Sequence, residues 1–194
     1  MKITVYNFKG GVGKTCIALN MALTMDYAIV TNDILSPLDE ILEDGQIKKL
    51  KLNEKVPTYP EDWDLIFDLG GYLDSRAKML LKQSDCVVVP VVNEYIDVHT
   101  TVNFIQEIEQ YNNKIVIVAN KTGKNDFAQV KKTMAKNYPK YPVLEIKNSR
   151  ALPNLMIKKK SVKDMMKESR LLNHHYKAIE EQFDKLISTI RGIK

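Results

Sequence analysis

The chain carries the stretch Lys9-Gly10-Gly11-Val12-Gly13-Lys14-Thr15, and this stretch decides its fold. An apolar run, residues 3–6, precedes it, and apolar residues at helical spacing follow it from residue 17. A strand, a glycine-rich loop and a helix in this order predict a phosphate-binding loop, whose backbone N–H groups point at phosphate oxygens. In such a loop Lys14 reaches the β- and γ-phosphates, and the Thr15 hydroxyl binds Mg²⁺.

The loop departs from the standard phosphate-binding pattern near its start. The pattern G-x-x-x-x-G-K-[ST] has its first glycine at position 8, where this chain has Phe8, and an additional lysine, Lys9, stands inside the loop. With this lysine the loop resembles the deviant Walker A loop of the ParA/MinD superfamily of dimerising ATPases. The resemblance implies that Lys9 crosses a dimer interface and contacts the nucleotide of the other subunit. A surface lysine beside an ordinary phosphate-binding loop is the alternative.

Apolar runs alternate with helical patterns along the chain. The runs predict strands over residues 2–7, 27–31, 64–68, 85–92, 114–119 and 142–146. The patterns predict helices over residues 14–25, 36–43, 74–83, 97–111, 125–137, 161–168 and 170–190. Three runs are almost continuously apolar, as in strands that are buried on both faces of a parallel sheet. We therefore expect an α/β fold of the P-loop NTPase type, a doubly wound, mostly parallel sheet with helices on both faces.

Length and composition bound the class of protein. The 194 residues suit a single domain, 1–194, and 44% hydrophobic with 27% charged residues is ordinary for a soluble protein. No apolar run reaches membrane-spanning length, and no secretory signal opens the sequence. The two cysteines show no C-x-x-C spacing, which favours a cytoplasmic protein. Because the first predicted strand begins at Lys2, we expect no N-terminal helix-turn-helix for reading a specific operator.

Basic residues are concentrated in the last third of the chain. Residues 1–120 hold 11 Lys and Arg against 17 Asp and Glu, a balance of −6, whereas residues 121–194 reach +11. A basic segment on an otherwise acidic protein favours a polyanionic partner, either nucleic acid or an anionic membrane. A solvated lysine-rich surface is the alternative.

Asp68 stands near the end of a predicted strand and is followed by Gly70-Gly71. This arrangement resembles a Walker B aspartate with a glycine-containing switch, and a carboxylate there can hold Mg²⁺ directly or through water. An aspartate that caps a turn is the alternative. Relatives often have prolines near this site, so the two glycines are a departure. The resemblance implies ATP and Mg²⁺ as cofactors, with Thr15 and Asp68 as the residues that hold the metal.

Asp33 closes the second predicted strand. ParA relatives often carry two aspartates here, separated by one residue and followed by Pro-Gln; this chain has Thr31 at the first position and lacks the Pro-Gln pair. By resemblance Asp33 orients or polarises the attacking water. A turn or helix-capping role is the alternative, but Ser36-Pro37 forms a better cap and first turn for a helix over residues 36–43, which leaves Asp33 for another role.

Asn120-Lys121 follows a buried strand and invites a comparison with GTPases. The guanine-reading motif needs an aspartate two residues after the lysine, and Gly123 stands there, so adenine is favoured. By resemblance Asn120 reads the base, and the segment 149–153 forms another wall of the base pocket. The residues expected to bind the nucleotide are Gly10, Gly11, Val12, Gly13, Lys14, Thr15, Cys16, Asp68, Asn120 and Pro153. The residues expected to act in catalysis are Lys9, Lys14 and Asp33.

The resemblance implies a slow ATPase switch that partitions DNA, plasmid or chromosome. It implies a homodimer that encloses ATP, non-specific DNA binding in the ATP state, a cytoplasmic location on the nucleoid, and a ParB-like centromere-binding activator. The basic residues that are candidates for contacting DNA are Lys131, Lys132, Lys158, Lys159, Lys160, Lys163, Lys167 and Arg170. Their binding is expected to fall steeply with salt.

Two other functions remain open at this stage. A MinD-like positioning ATPase would bind lipid through an amphipathic tail over residues 183–194. The apolar spacing of this tail continues from Leu171, which predicts that it docks on the core, so membrane binding is the less favoured alternative. A small-molecule kinase would need further acid–base groups in a substrate pocket, and the sequence offers no candidates.

Overall fold

Seven parallel strands form the central sheet of the computed structural model, which describes residues 1–71 and 73–193. The sheet order is β3-β2-β4-β1-β5-β6-β7, so the first strand lies at the centre. The strands are β1 (Lys2–Tyr6), β2 (Ala28–Thr31), β3 (Ile47–Lys49), β4 (Leu65–Leu69), β5 (Cys86–Val91), β6 (Ile115–Thr122) and β7 (Val143–Lys147). Because every pair is parallel, the carboxyl ends of all strands lie at one edge, where ligands bind in sheets of this type.

Helices cover both faces of the sheet, which confirms the predicted doubly wound α/β fold. The helices are α1 (Lys14–Met25), α2 (Ser75–Gln83), α3 (Tyr95–Ile108), α4 (Asp126–Asn137), α5 (Ala151–Lys158), α6 (Val162–Lys167) and α7 (Arg170–Gly192). Buried residues of α1, α5, α6 and α7 pack on one face, together with Ile3 and Val5 of β1. Buried residues of α2, α3 and α4 pack on the other, together with Tyr6 and Phe67.

Three local elements differ from the sequence prediction. The strand β3 was not predicted, because it is three residues long, half-buried at the sheet edge and contains two lysines. The predicted helix over residues 36–43 is a single 3-10 turn, Pro37–Glu40, in which Leu38 is buried. The helix α5 is not among the predicted helices. Pro153 lies in the first turn of α5, where a proline costs no helical hydrogen bond.

The long C-terminal helix α7 docks on the sheet layer through its apolar stripe. Its buried residues include Tyr176, Ile179, Phe183, Leu186, Ile187 and Ile190. They join the core on the α1 side, so the expected docking is confirmed for the helix. Lys194, the last residue of the alternative lipid-binding tail, lies outside the described residues. Among the residues that the structure describes, no helix is both long and apolar enough to cross a bilayer.

Phe183→Ala should destabilise the whole domain, because the phenyl ring is 1% exposed where α7 packs on the core. We expect a loss of roughly 3–5 kcal/mol in the free energy of unfolding, the range for a buried phenylalanine truncated to alanine. Urea unfolding followed by circular dichroism measures this loss. The matched control is Lys185→Ala on the exposed face of the same helix. Equal stabilities of the two variants would show that the end of α7 is not packed as described.

Candidate functional site

The loop between β1 and α1 has a backbone that only glycine adopts easily at two positions. Gly11 has φ 78° and Gly13 has φ 89°, both in the left-handed region. A Cβ at Gly13 would also collide with the amide of Asn120. Gly13 is the N-cap of α1 and has no side chain to occupy the first N–H groups of that helix. Those groups and the positive end of the helix dipole therefore remain available to an anion.

Two residues near the end of β6 donate side-chain hydrogen bonds to carbonyl oxygens of this loop. The Asn120 amide donates to the Val12 carbonyl at 2.7 Å, and the Lys121 ammonium donates to the Gly11 carbonyl at 2.8 Å. The strand β6 is irregular at this point, and Lys121 takes φ 54°. Carbonyl oxygens directed at these donors leave the N–H groups of the curled loop to face the other way. The sequence signal Asn-Lys was read for its asparagine alone, so the contribution of Lys121 was missed.

Asn120 lies beneath the loop rather than on an open surface where a base could bind. It is fully buried, and its side-chain oxygen has no hydrogen-bond partner among the described residues. An unpaired buried amide oxygen is costly, and a ligand N–H near it would remove the cost. The geometry thus assigns Asn120 a support of the loop, and contact with an adenine stays a prediction.

Asn7 fixes the start of the loop. Its amide donates to the Pro90 carbonyl at 2.8 Å and to the Thr101 hydroxyl at 2.9 Å, while its oxygen accepts from the Lys9 N–H at 3.0 Å. One buried side chain thus ties β5, α3 and the loop together. Sequence reasoning missed this residue, since Pro90 and Thr101 are more than 80 positions away.

The two lysines of the loop lie in different surroundings. The Lys14 ammonium donates to the Lys9 carbonyl at 2.8 Å, and burial lowers the pKa of Lys14, opposed by the charges of Asp68 and Asp33. The Lys9 ammonium points to α3 and pairs with Asp97 at 3.0 Å. The Lys9 side chain is 41% exposed, whereas that of Asp97 is 9% exposed. Lys14 is therefore the internal cation of the loop, and Lys9 lies at its rim.

Asp68 lies in β4 and is buried. Burial raises its pKa to about 6, against the opposing hydrogen bond with Thr15 and the charge of Lys14. Burial thus outweighs the nearby ammonium, and a divalent metal would stabilise the ionised form of the carboxyl. Thr15 and Asp68 fit a Mg²⁺ site, because one supplies a hydroxyl and the other a carboxylate in contact with it. When bound, the metal would screen the charge of the phosphates.

Asp33 is exposed and takes part in a turn. Its carboxylate accepts from the Leu35 N–H at 3.0 Å, and its N–H donates to the Thr31 hydroxyl at 3.1 Å. Ser36 and Pro37 do occupy the N-cap and the first position of the 3-10 turn, as expected, but the Ser36 side chain makes no capping hydrogen bond. Asp33 still takes part in the turn before it. The Asp33 charge nevertheless acts on both Asp68 and Lys14, so the three groups lie close together.

The Asp33 side chain also lines a cavity of about 440 Å³ at the carboxyl ends of β2 and β4. Other residues that line this cavity are Asn32, Gly70, Gly71, Asp74 and Arg76. The Leu35 bond fixes one oxygen of Asp33 at the cavity wall. The predicted water-orienting residue therefore faces a space that can admit a ligand.

The remaining predicted nucleotide contacts lie in the loop before α1, on α1 and on α5. Val12 is buried, and Cys16 is half-buried with its pKa raised mainly by burial. Pro153 is exposed on α5 and does not line the neighbouring cavity of about 480 Å³. Ser149 and Arg150 do line that cavity, which lies between the start of α5 and α7. Ser149 and Arg150 of the predicted base wall therefore line a cavity, and the contacts of this segment, Pro153 included, with a base stay a prediction.

The basic residues fall into two groups on opposite layers of the molecule. Lys131 and Lys132 are exposed on α4, whereas the others are exposed where α5, α6 and α7 meet. The two helix layers cover opposite faces of the sheet, so the structure does not bring the groups together. Within the larger group, Glu168 pairs with Lys160 at 2.8 Å, and Asp164 pairs with another lysine at 2.7 Å. These acidic partners offset part of its charge.

Comparisons with known proteins identify the family and support the fold. The profile described as CobQ/CobB/MinD/ParA nucleotide binding domain matches residues 3–162. The chain is similar in structure to McdA from Cyanothece in its ATP complex, with a TM-score of 0.71 and 11% identity over 100% of this chain and 96% of that one. It is also similar to the septum site-determining protein MinD with Mg-ADP from Pyrococcus horikoshii, with a TM-score of 0.66 and 14% identity over 97% and 98% of the two chains.

A third similar structure is a putative plasmid partition protein from Borrelia burgdorferi bound to AMPPNP. Its TM-score is 0.59, with 17% identity over 95% of this chain and 98% of that one. At such identities the similarity establishes the fold. A search of curated protein sequences finds no match to the chain.

Asp68→Asn should stabilise the protein without nucleotide. The raised pKa means that the unfolded chain releases the proton more readily, so ionisation of Asp68 weakens the fold as the pH rises from the ordinary 3.8 to about 6. We expect the variant to gain about 3 kcal/mol over the wild type above that range, and little below it. Urea unfolding across this pH range measures the difference. The matched control is Asp62→Asn, an exposed aspartate, and a pH-independent gain at residue 68 would contradict the assignment.

Proposed function

The chain belongs to the CobQ/CobB/MinD/ParA family of nucleotide-binding domains, and we propose that it is a slow, Mg²⁺-dependent ATPase that dimerises on ATP and partitions DNA. The family consists of P-loop ATPases, and the loop before α1 supplies their phosphate site. The observation that best supports the proposal is that the two lysines of the loop point in different directions. Lys14 is turned inward, and Lys9 is held at the rim, 3.0 Å from Asp97. A rim lysine supports a role toward the nucleotide of a second subunit.

Large apolar side chains are exposed in the segments that contain Asp33 and Asp97, and they support the binding of a second copy of this chain to this face. Ile34 and Leu35 follow Asp33 and are 57% and 86% exposed. Tyr95 and Ile96 lie at the start of α3, just before the partner of Lys9, and are 79% and 67% exposed. Large apolar groups on both sides of a polar cleft are typical of a surface that becomes buried on association.

In the proposed hydrolysis, each residue at the ends of the strands has one role. Thr15 and Asp68 would hold the metal, Lys14 would bind the transferred phosphate, and Asp33 would orient the attacking water. Since phosphoryl transfer passes through a loose transition state, the placement of these groups matters more than their basicity. The Leu35 N–H bond to Asp33 restrains that carboxylate, which favours an orienting role over proton abstraction.

The surface proposed to contact DNA is the basic group at the junction of α5, α6 and α7. It consists of Lys158, Lys159, Lys160, Lys163, Lys167 and Arg170. Lys159 also donates to the Glu40 carbonyl of the 3-10 turn that follows Asp33, so this surface contacts the segment next to the nucleotide. That contact supports a DNA surface that responds to ATP. Lys131 and Lys132 lie on the other layer and are outside the proposed surface. A ParB-like protein is the proposed activator of hydrolysis.

A MinD-like role at a membrane is the second candidate, because one similar structure is a MinD. The packed stripe of α7 weighs against it, since a lipid-binding helix needs its apolar face exposed. DNA is therefore the preferred partner of the ATP state.

Co-sedimentation with DNA and with anionic liposomes, each with Mg-ATP and Mg-ADP, tests the function directly. We expect DNA binding with ATP that weakens steeply between low and physiological salt, because phosphate contacts release counterions. Lys163→Ala with Lys167→Ala should weaken binding, and Lys131→Ala with Lys132→Ala serves as the matched control. Liposome binding that requires residues 183–193 would favour the MinD-like role. Binding that is equal in ATP and ADP would refute the switch.

Lys9→Ala should abolish ATP-dependent dimerisation while it preserves ATP binding, because Lys14 and the loop backbone remain. Size-exclusion chromatography with light scattering measures the dimer, and calorimetric titration with AMPPNP measures binding. The control is Lys136→Ala, an exposed lysine on α4. A Lys9→Ala protein that still dimerises on ATP would show that Lys9 is an ordinary surface lysine.

A further inference from the structure

The side chain of Asn32 joins the two loops that flank the 440 Å³ cavity. Its amide nitrogen donates to the Gly70 carbonyl at 2.9 Å, and its amide oxygen accepts from the Gly70 N–H at 2.9 Å. Both hydrogen bonds go to one residue, so the side chain pairs with the Gly70 backbone as a neighbouring strand would. Asn32 directly precedes Asp33, and Gly70 comes two residues after Asp68.

This clamp lies just beyond the end of regular pairing between β2 and β4. The last residues paired between these two strands are Thr31 and Asp68; β2 ends there, and β4 ends one residue later. Gly70 and Gly71 would otherwise be free to take many backbone conformations, and Gly71 has φ 74°. The Asn32 side chain therefore continues the hydrogen bonding between β2 and β4 beyond the strands. It joins the two segments that are expected to contact the γ-phosphate.

The other side of the Gly70-Gly71 turn is anchored independently. The Tyr6 hydroxyl donates to the Gly71 carbonyl at 3.3 Å. Further along, Asp74 caps α2 and pairs with Arg76, which donates to the Leu50 carbonyl at 2.9 Å. The Tyr6 contact attaches the turn to β1, and the Arg76 contacts attach the start of α2 to the residue that follows β3. Among the hydrogen bonds described for the chain, those of Asn32 are the ones that attach the turn to the Asp33 segment.

We infer that Asn32 is a positioning residue, which makes the Asp33 segment and the Gly70-Gly71 turn move as one unit when nucleotide binds. The inference rests on the proposed ATPase function. Asp33 can place a water against the γ-phosphate only if its loop keeps a fixed distance from the turn over Asp68. A fixed distance between the groups that position reactants raises the rate of the chemical step more than it raises affinity.

The matched variant is Asn32→Asp, because an aspartate has the shape of asparagine. As a carboxylate the new side chain can accept from the Gly70 N–H, but it cannot donate to the Gly70 carbonyl and repels it. At neutral pH an aspartate is ionised, so one of the two hydrogen bonds is lost and the other is kept. The charged groups near this position, which the variant leaves unchanged, are Asp33, Asp68, Asp74, Lys14 and Arg76.

Steady-state ATP hydrolysis near pH 8 tests the inference, with each variant compared with wild type. For Asn32→Asp and Asn32→Ala we expect a kcat about tenfold lower, with KM for ATP little changed, because each variant loses at least one of the two hydrogen bonds to Gly70. Calorimetric titration with AMPPNP should give the wild-type stoichiometry in both variants, which separates slower chemistry from a loss of folded protein.

Amide exchange of ¹⁵N-glycine-labelled protein gives a second readout that does not depend on hydrolysis. The Gly70 N–H should exchange at least about tenfold faster in Asn32→Ala than in wild type, since its acceptor is lost. A wild-type kcat in Asn32→Ala, or a lowered AMPPNP stoichiometry that accounts for the whole loss of kcat, would overturn the inference while the ATPase function stands. Absence of ATP hydrolysis in the wild-type protein would refute the proposed function and the inference with it.

Discussion

The curled backbone of residues 10–13 is the constraint on which the rest of the site depends. Its N–H groups can face a phosphate only if its carbonyl oxygens face the protein, and those oxygens then need donors. Asn120 and Lys121 supply the donors for Val12 and Gly11, and Lys14 itself donates to the carbonyl that precedes them in the loop. Because β6 brings both donors from more than 100 residues away, the loop depends on the parallel pairing of the sheet around β5 and β6.

The charges of the site are balanced for a ligand. Burial lowers the pKa of Lys14 and raises that of Asp68, so it opposes the charged form of both groups. Their attraction for each other offsets only part of this effect. A phosphate would stabilise the ammonium, and a divalent cation would stabilise the carboxylate. Nucleotide and metal together therefore satisfy two groups that the protein alone satisfies poorly. This pattern is typical of a site that is arranged in advance for a charged ligand.

The elements that the sequence predicted well are those with long apolar periods. The central strands and α1, α3, α4 and α7 were predicted within about three residues, because each buries a face whose spacing is visible in the sequence. The strand β3 and the 3-10 turn after Ser36 were not, since three or four residues carry too little pattern. At the site, the glycines, Lys14 and Asp68 were readable from local motifs. The supporting side chains were not, because their partners lie far away in sequence; they are Asn7, Asn32 and Lys121.

The sequence alone determined that the chain has a phosphate-binding loop in a parallel α/β sheet, since a strand, glycines and a helix in that order require no distant partner. Only the tertiary structure decided which side chains serve that loop. It placed Asn120 beneath the loop, paired Lys9 with Asp97, and joined Asn32 to Gly70. It also separated the basic residues of α4 from those of the other helix layer. Such contacts depend on strand order and helix layer, and these follow from the packing of the whole chain rather than from any local run of residues.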